Sequence, residues 1–276
     1  MIDYETGRNV LVVTRGHRFE REPFIELLDS VPDTVWTHVE QPAATALFDP
    51  QRAQGFKAFL CYDMPGLKFE KGSGNGCRGV EYVEPPSYFT AGLRALLDAG
   101  MPLIFLHHAV AGWPAWPAYR EIIGGSFVYK RDPQAGLSDS GYLHGVKHRV
   151  RVTAEHPITA GVDPEFEIDD ELYLMDIDER GKLPLLRSTF EFDPEKFHSA
   201  HEAVCNEALF AHYPWQRPRG SNLIAWLKRA GRSPVVYIQC GDGPTAYANR
   251  SFRKLLANAV IWITSPEARA WASQSA

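Results

Sequence analysis

The sequence has few cysteines, and their spacing excludes two classes of small cysteine-dependent fold. There are four in 276 residues, and no two of them form a CxxC pair. This pattern fits neither a zinc module nor a disulfide scaffold. The first ten residues also lack the apolar segment of a signal peptide. We therefore expect reduced thiols and a cytoplasmic protein. The four cysteines are Cys61, Cys77, Cys205 and Cys240.

Long apolar runs and blocks of like charge are missing as well. No run of 18 apolar residues occurs, so the sequence predicts no membrane span. The net charge is −5 and no basic cluster stands out. Binding to nucleic acid needs a positive surface that replaces phosphate counterions. We therefore expect a small-molecule partner and neither a nucleic acid nor a membrane, while a homo-oligomer is left open.

Short apolar runs that alternate with helix-length amphipathic segments predict an α/β fold with a mainly parallel sheet. Asn9–Thr14, Phe56–Tyr62 and Met101–Leu106 are almost entirely apolar, which is typical of strands buried on both faces. We predict that these three runs are neighbours or near neighbours in one sheet. A fourth predicted strand and three predicted helices are Thr34–Val39, Glu22–Ser30, Ser87–Ala99 and Asn249–Ile263.

The pattern changes after residue 140. Polar and apolar residues alternate from Gly141 to about Phe192, which predicts exposed antiparallel strands added to the same domain. Asn222–Arg229 and Ser233–Gln239 predict a further strand pair. Lys71–Gly79 holds four glycines in nine residues without the spacing of a phosphate-binding loop, so we predict an irregular surface loop there. We expect one domain that spans residues 1–276.

Polar side chains follow three of the predicted parallel strands. His17 comes shortly after the first, Asp63 follows the third, and His107 and His108 follow Met101–Leu106 directly. Ligands in such folds bind beyond the carboxyl ends of the strands, so we expect His17 and at least one of the paired histidines to face a common pocket. Imidazoles and a carboxylate can transfer a proton, bind a metal or hold sugar hydroxyls. A purely structural role, with each side chain satisfied by hydrogen bonds, is the alternative.

Other candidate residues lie near the histidine pair or on the later strands. Glu171 and Tyr173 are two apart on a predicted strand, so they point the same way. We predict that Trp113, Tyr119 and Tyr173 bind the substrate, because aromatic rings offer flat faces that suit a sugar ring. For Trp113 and Tyr119 the alternative is that they pack a helix onto the sheet. None of the four cysteines follows a sharp turn after the central strand, so we expect none to be essential.

Four segments together resemble the ThuA-like family, named for trehalose utilisation. MPLIFLHHAVAGWPAWPAYREIIGGSF resembles the central motif of that family. The other three, in the order of the family, are LVVTRGHRFER, EHPITAGV followed by ELYLMD, and VVYIQCGDGPTAYANRSFRKLLANAVIWI. The resemblance implies a class I glutamine-amidotransferase-like (flavodoxin-like) three-layer fold and a role in the catabolism of trehalose or keto-sugar derivatives. By position, the site-like residues of the family match His17, His107, His108, Tyr119 and Glu171.

The sequence departs from the related patterns at two places. Amidotransferases carry a nucleophilic cysteine at a sharp turn after a central strand, whereas this chain has FLHHAV there, so we expect no amidotransferase activity. Many ThuA-like chains end the last strand with Leu-Gly-His, and here Cys240-Gly241-Asp242 takes that place. Any role of that histidine must pass to Asp242 or be lost.

Two hypotheses follow. In the first, the chain is an isomerase or hydrolase that acts on a sugar or keto-sugar by proton transfer. His107 or His108 is then the acid/base, His17 its partner or a metal ligand, and Asp63 or Glu171 the orienting carboxylate. A divalent metal such as zinc is one cofactor that these groups could bind. In the second hypothesis, the chain is a non-catalytic sugar-binding or regulatory protein.

Overall fold

A computed structural model describes residues 7–73, 76–134 and 137–274. Its strands are β1 (Arg8–Arg15), β2 (Thr34–Glu40), β3 (Ala58–Asp63), β4 (Leu67–Lys71), β5 (Cys77–Tyr82), β6 (Leu103–Leu106), β7 (Gly125–Ser126), β8 (Gly141–Val152), β9 (Glu165–Leu174), β10 (Asp176–Ile177), β11 (Lys182–Ser188), β12 (His198–Ser199), β13 (Leu223–Ala230) and β14 (Ser233–Ile238). Its α-helices are α1 (Arg21–Asp29), α2 (Ser87–Asp98), α3 (Pro117–Ile123), α4 (Ala200–Cys205), α5 (Pro244–Tyr247), α6 (Arg250–Ile263) and α7 (Pro266–Ser273).

The centre of the fold is a parallel sheet in the order β14-β6-β3-β1-β2. Leu11 of β1 pairs with Phe59 of β3, and Phe59 pairs in turn with Leu103 of β6. The prediction that the three apolar runs are neighbours is therefore confirmed. Each run is buried on both faces, because helices cover the sheet on both sides.

The antiparallel strands continue this sheet. β13 lies beside β14, followed by β11 and β8, while β9 and the short β12 both pair with β8. The sheet has ten strands in total. The expectation that the Gly141 segment is exposed was wrong in part. β8 has partners on both edges, and its residues His148 and Val150 are buried.

Two apolar layers enclose the sheet and complete the predicted three-layer fold. Val10 and Val12 face the layer that contains α1 and α6, and the alternate residues Leu11 and Val13 face the layer of α2 and α3. This separation follows from the period of two in a strand, which sends successive side chains to opposite faces. Among the described residues, no helix is long and apolar enough to cross a membrane.

The glycine-rich segment Lys71–Gly79 is more regular than predicted. β4 and β5 form an antiparallel hairpin in which Lys71 pairs with Cys77 across a register shift. The segment therefore contributes strand residues at both ends, Lys71 to β4 and Cys77 to β5. Residues 74–75 of the predicted loop lie outside the described residues.

The carboxyl ends of β1, β6 and β14 lie at one edge of the sheet because the strands are parallel neighbours in this region. The chain turns sharply directly after β6, where His107 has a φ of 49°. It turns again after β14, where Gly241 has a φ of 126°. Both turns bring polar side chains to this edge.

Candidate functional site

Three imidazoles lie in contact at the carboxyl edge of the sheet, with His108 tilted against His17 and edge-on to His107. The ring centroids of His17 and His108 are 4.5 Å apart, and those of His107 and His108 are 5.6 Å apart. The sequence predicted this meeting, because all three residues follow strands that end at the same edge. Their closeness agrees with that expectation, but neither cavity that His17 lines is also lined by His107 or His108. The common pocket and the functional roles stay a prediction.

His107 is fully buried and lies among acidic and phenolic groups. Its Nδ1–H donates to the Gln239 carbonyl at 2.6 Å, so Nε2 points to the other side of the ring. Nε2 lies 2.7 Å from the Tyr173 hydroxyl, 3.1 Å from Oε2 of Glu171 and 3.4 Å from Oδ1 of Asp242. Burial alone would lower the pKa of His107. The two carboxylates outweigh it and raise this pKa to about 10.

The backbone after β14 carries Asp242 to Nε2 of His107, and Asp170 holds that backbone in place. The buried Asp170 carboxylate accepts hydrogen bonds from the N–H groups of Gly241 at 2.8 Å and Asp242 at 3.0 Å. Burial raises the pKa of Asp170 to about 6, against the opposing effect of His107 and these N–H groups. Burial would also raise the pKa of Asp242, but the bond to His107 lowers it to about 2.

A bulge in β8 brings a fourth imidazole to the cluster. The pairing of β8 with β9 shifts register between Leu143 and Val146. As a result Nδ1 of His144 lies 3.1 Å from Oε1 of Glu171 and 3.9 Å from Oδ2 of Asp242. His148 lies on the opposite face of the strand, where its Nδ1 is 2.9 Å from the Ser188 hydroxyl. The even spacing of the two histidines would put both on one face of a regular strand, and the bulge removes that alternation.

His108 and His17 are held as neutral rings. Nε2 of His108 donates to the Tyr62 carbonyl at 3.2 Å, and burial followed by the nearby His17 and His107 lowers its pKa well below the usual value. The half-buried His17 donates from Nδ1 to the Arg18 carbonyl at 2.8 Å. Burial, and then His107, also lowers the pKa of His17. Nε2 of His17 therefore carries a free lone pair.

A small pocket opens beside this cluster. It measures about 170 Å³ and is lined by His17, His144, Glu171 and Tyr173, with Tyr142 and Phe210 among its aromatic walls. A wider cleft of about 760 Å³ also reaches His17, and Asp242 lines it from the other side. Neither of these two cavities is lined by His107 or His108. Of the predicted histidines, the one that a bound molecule can reach directly is His17.

Asp63 was predicted to orient the histidines, and the structure places it elsewhere. Its buried Oδ2 accepts from Nε2 of Gln41 at 2.7 Å, and none of the hydrogen bonds described for it reaches an imidazole. Burial raises the pKa of Asp63 to about 7, against the opposing bond from Gln41. The carboxylates that contact the histidines come instead from β9 and from the turn after β14, because these segments cross the edge where β6 ends.

Trp113 and Tyr119 do not line the pocket. The Trp113 ring lies 5.2 Å from that of Phe89, and the Tyr119 ring lies edge-on to Phe105 at 5.7 Å. Both side chains are buried in the layer that contains α2 and α3. The alternative that they pack against the sheet is the one that the structure supports. Of the predicted sugar-binding aromatic residues, Tyr173 alone lines the pocket.

Several residues of the histidine cluster and of the pocket were not singled out from the sequence. Asp170 neighbours the predicted Glu171 but points to the other face, and its role depends on the turn that it holds. Tyr142 and Phe210 carry no local motif. They are brought together only by the tertiary fold, in which the Tyr142 hydroxyl accepts a hydrogen bond from the Phe210 N–H at 3.0 Å. Asp242 was marked only as the residue in place of a family histidine, and it does reach the cluster.

The turn after β6 is the place where class I amidotransferases carry a cysteine nucleophile. This chain has His107 there, in the left-handed backbone conformation that a non-glycine residue rarely adopts. The nearest thiol along the chain to Asp242 is Cys240, which is buried, and burial raises its pKa well above the usual value. A buried thiol of this kind is a poor nucleophile.

The cluster also contains three groups that could share one metal ion. Nitrogen or oxygen atoms of His107, Glu171 and Asp242 all lie within 4.8 Å of one another. His107 and Glu171 are buried, and the Asp242 side chain is 30% exposed.

Comparisons with known proteins agree with this fold. A ThuA-like protein from Bacteroides uniformis superposes with a TM-score of 0.60 at 15% identity, covering 94% of this chain and 92% of that one. A ThuA-like protein from Parabacteroides merdae superposes with a TM-score of 0.64 at 12% identity, covering 98% and 93%. A cytoplasmic protein from Salmonella typhimurium LT2 gives a TM-score of 0.53 at 8% identity, covering 92% and 99%. A search among curated proteins gives no match.

The family assignment rests on the sequence itself. The profile of the ThuA family, described as trehalose utilisation, matches residues 85–263, which is more than half of the chain. This range contains the turn after β6, both antiparallel strands that line the pocket, and Asp242. The chain therefore belongs to the ThuA trehalose-utilisation family.

Proposed function

We propose that this chain is an enzyme of carbohydrate metabolism that binds a neutral sugar or keto-sugar beside His17 and moves a proton on it. Family membership supports a role related to trehalose utilisation. The observation that carries the proposal is the pocket in which His17 and Glu171 meet aromatic walls. A cytoplasmic location belongs to the same proposal, and it is supported by four cysteines that are all free.

The pocket has the chemistry that sugar recognition requires. A sugar ring presents apolar C–H faces, which pack on aromatic rings, and a rim of hydroxyls, which need polar partners. The exposed ring of Phe210 and the ring of Tyr142 supply the apolar surface. His144 and Glu171 supply polar groups on the same wall. Two carboxylates at this edge disfavour a phosphorylated sugar, because like charges repel.

His17 is the residue that we assign to proton transfer. Its Nδ1–H is held by the Arg18 carbonyl, so the free lone pair is on Nε2. Burial lowers the pKa of this imidazole, so the ring is neutral at pH 7 and can accept a proton. A carbon next to a ketone is the most acidic C–H of a keto-sugar. We propose that His17 removes that proton, while His108 stacks on the ring and fixes its position.

Exchange of this proton with solvent tests the proposal. The wild-type chain, incubated with a keto-sugar in D₂O, should place deuterium at the carbon next to the carbonyl, followed by NMR or mass spectrometry. His17→Gln should slow the exchange by about 100-fold or more, within the usual range for a general base. The matched control is His38→Gln, because His38 lies on the edge strand β2 and bonds Thr14 at 2.6 Å. The His38→Gln variant should catalyse deuterium exchange into the sugar at the wild-type rate.

The alternative is a non-catalytic sugar-binding protein on the same fold. Calorimetry with the same keto-sugar, and with trehalose, separates the two. If a sugar binds but no deuterium is exchanged, the chain is a sugar-binding protein and the enzyme hypothesis fails. If neither sugar binds and no exchange occurs, both versions of the proposal fail.

A further inference from the structure

We propose that Nε2 of His107 and the carboxylates of Glu171 and Asp242 bind one divalent first-row metal ion, with Zn²⁺ as the best match. This inference deepens the proposed function, since an ion at this place would act on the same bound sugar. Only the role of the ion in the reaction rests on the proposed function. The existence of the site stands on the geometry of the three side chains.

The separations of the donor atoms suit one small cation. Zinc bonds to nitrogen and oxygen of about 2.0–2.2 Å place two tetrahedral ligands about 3.4 Å apart. Nε2 of His107 lies 3.1 Å from Oε2 of Glu171 and 3.4 Å from Oδ1 of Asp242. All three residues contribute donor atoms within 4.8 Å of one another. One ion can therefore contact all of them with small side-chain movements.

Hydrogen bonds alone leave this cluster poorly matched. Nε2 of His107 can carry one proton, yet two carboxylates and the Tyr173 hydroxyl all lie within 3.4 Å of it. One N–H group cannot donate well to three partners at once. A metal ion would displace the Nε2 proton of His107 to solvent and would then accept the nitrogen lone pair together with an oxygen from each carboxylate. It would satisfy these three groups at once.

The charge of the cluster points the same way. Glu171 is buried and Asp242 is largely covered, and burying carboxylates is costly without positive partners. Within the described part of the chain, neither one forms an ion pair with a lysine or an arginine, and their recorded partners are His107 and His144. One imidazolium offers a single positive charge to these two carboxylates, and a divalent cation would match both.

The surroundings hold the three ligands in place, as in metal sites of proteins. The other ring nitrogen of His107 donates to the Gln239 carbonyl at 2.6 Å, an arrangement typical of metal-binding histidines. Asp170 holds the backbone of Asp242 through two N–H groups, and Nδ1 of His144 lies 3.1 Å from the second oxygen of Glu171. The ligands are thus oriented before any ion arrives.

The site is reachable, and its ligand count leaves room for a substrate. Glu171 lines the small pocket and Asp242 lines the wider cleft. Catalytic zinc sites use three protein ligands and leave a fourth position for water or substrate. A ketone oxygen at that position would be polarised by the ion, which acidifies the neighbouring C–H that His17 faces in the proposed function.

Titration with Co²⁺, used as a coloured substitute for Zn²⁺, tests the site. The wild-type chain, stripped with a chelator and dialysed, should bind one Co²⁺ per chain and develop visible d–d absorption. Zn²⁺ should bleach that absorption by competition. Asp242→Asn and Glu171→Gln should each weaken Co²⁺ binding by about 10-fold or more. Loss of a residue that only supports a ligand already lowers metal affinity by that factor, and loss of a direct ligand should lower it at least as much.

The matched control is Glu167→Gln, since Glu167 is an exposed carboxylate on β9, the same strand as Glu171. It should bind Co²⁺ like the wild type. Thermal unfolding of each metal-free variant checks that it folds, and Asp242→Asn is the milder change because that side chain is partly exposed. The inference is overturned if the wild type binds no Co²⁺, or if it binds Co²⁺ with equal affinity in both ligand variants.

The two proposals fail in different ways. Co²⁺ binding that depends on Glu171 and Asp242, without any deuterium exchange, would leave the metal site standing and remove the proposed reaction. If the protein binds no metal but still exchanges the deuterium at the full rate, the proposed reaction stands and the metal site is removed.

Discussion

Asp63 is a buried carboxylate whose burial disfavours its charge. Its pKa is raised to about 7 by that burial, whereas the unfolded chain has the ordinary value of 3.8. Between these two values the unfolded state loses its proton first, so rising pH destabilises the fold. The penalty is absent below about pH 4, grows toward pH 7 and is complete above it, at a size on the order of 4 kcal/mol.

Asp63→Asn removes this charge and should therefore gain stability relative to the wild type as the pH rises. We expect the difference in the free energy of unfolding between the variant and the wild type to increase from pH 4 to pH 7 and then to level off. Urea denaturation at a series of pH values measures it. Asp98→Asn, at an exposed helix position, should give a flat difference. If the difference for Asp63→Asn does not change with pH, burial does not raise the pKa of Asp63.

Gly16 precedes His17 and sets the backbone from which that imidazole projects. Its φ is 103°, and a Cβ there would lie 2.4 Å from the Met64 carbonyl oxygen. Gly55 has a similar φ of 94°, with nothing within 4 Å of the same position. The two glycines therefore separate the effect of backbone conformation from the effect of a steric clash.

Gly55→Ala should cost about 1–2 kcal/mol, which is the price of a left-handed residue. Gly16→Ala should cost clearly more, and it should also slow the deuterium exchange that we assign to His17, because the clash displaces the loop. Thermal unfolding and the exchange assay measure the two effects. Equal destabilisation by both changes, with normal exchange in Gly16→Ala, would contradict this account of the loop.

At the scale of elements, the start of α6 connects the helix layer to β9. Oδ1 of Asn249 accepts from the N–H groups of Ser251 at 3.0 Å and Phe252 at 3.1 Å. Nδ2 of the same side chain donates to the Glu167 carbonyl at 2.8 Å. One side chain thus caps a buried helix and bonds the strand that carries Glu171.

Asn249→Ala should lower the free energy of unfolding by about 1–2 kcal/mol through the lost cap, with a further loss for the Glu167 carbonyl. Asn249→Asp keeps an oxygen at the cap and favours the helix dipole, so it should recover the capping part of the loss. It should not recover the bond to the Glu167 carbonyl, because a carboxylate has no N–H to donate. Chemical denaturation of the three proteins gives the comparison. If Asp and Ala at this position are equally destabilising, the cap is not the source of the effect.

The elements also explain which parts of the site the sequence could predict. His17, His107 and His108 follow apolar strands, and the rule for parallel sheets alone brings their carboxyl ends together. Glu171 and Tyr173 were found because a strand sends alternate residues to one face. His144 depends on a bulge at Gly145, whose φ of 63° has no signature beyond the glycine itself. Trp113 looked like a pocket residue because proximity along the chain does not reveal on which side of the sheet the ring packs.

At the scale of the whole molecule, the two halves of the chain contribute different parts of one site. The parallel strands supply the imidazoles His17, His107 and His108, and the later antiparallel strands supply Glu171, Tyr173 and His144. This joining depends on β13 pairing with β14 and on the path of β8 and β9 beyond it. Local patterns predict each strand but not this order. Asp63 was therefore predicted to orient the histidines because it follows a neighbouring strand, but the fold brings Glu171 to them instead.

The most direct test of the central claim is a crystal structure of this chain with a bound keto-sugar. The account predicts sugar density in the pocket between His17, Glu171 and Tyr173, with the carbon next to the carbonyl within about 3–3.5 Å of Nε2 of His17, the separation of a near-attack geometry. Density instead in the basic cleft lined by Arg120, Lys182 and Lys228, with the pocket beside His17 empty at saturating sugar, would contradict it.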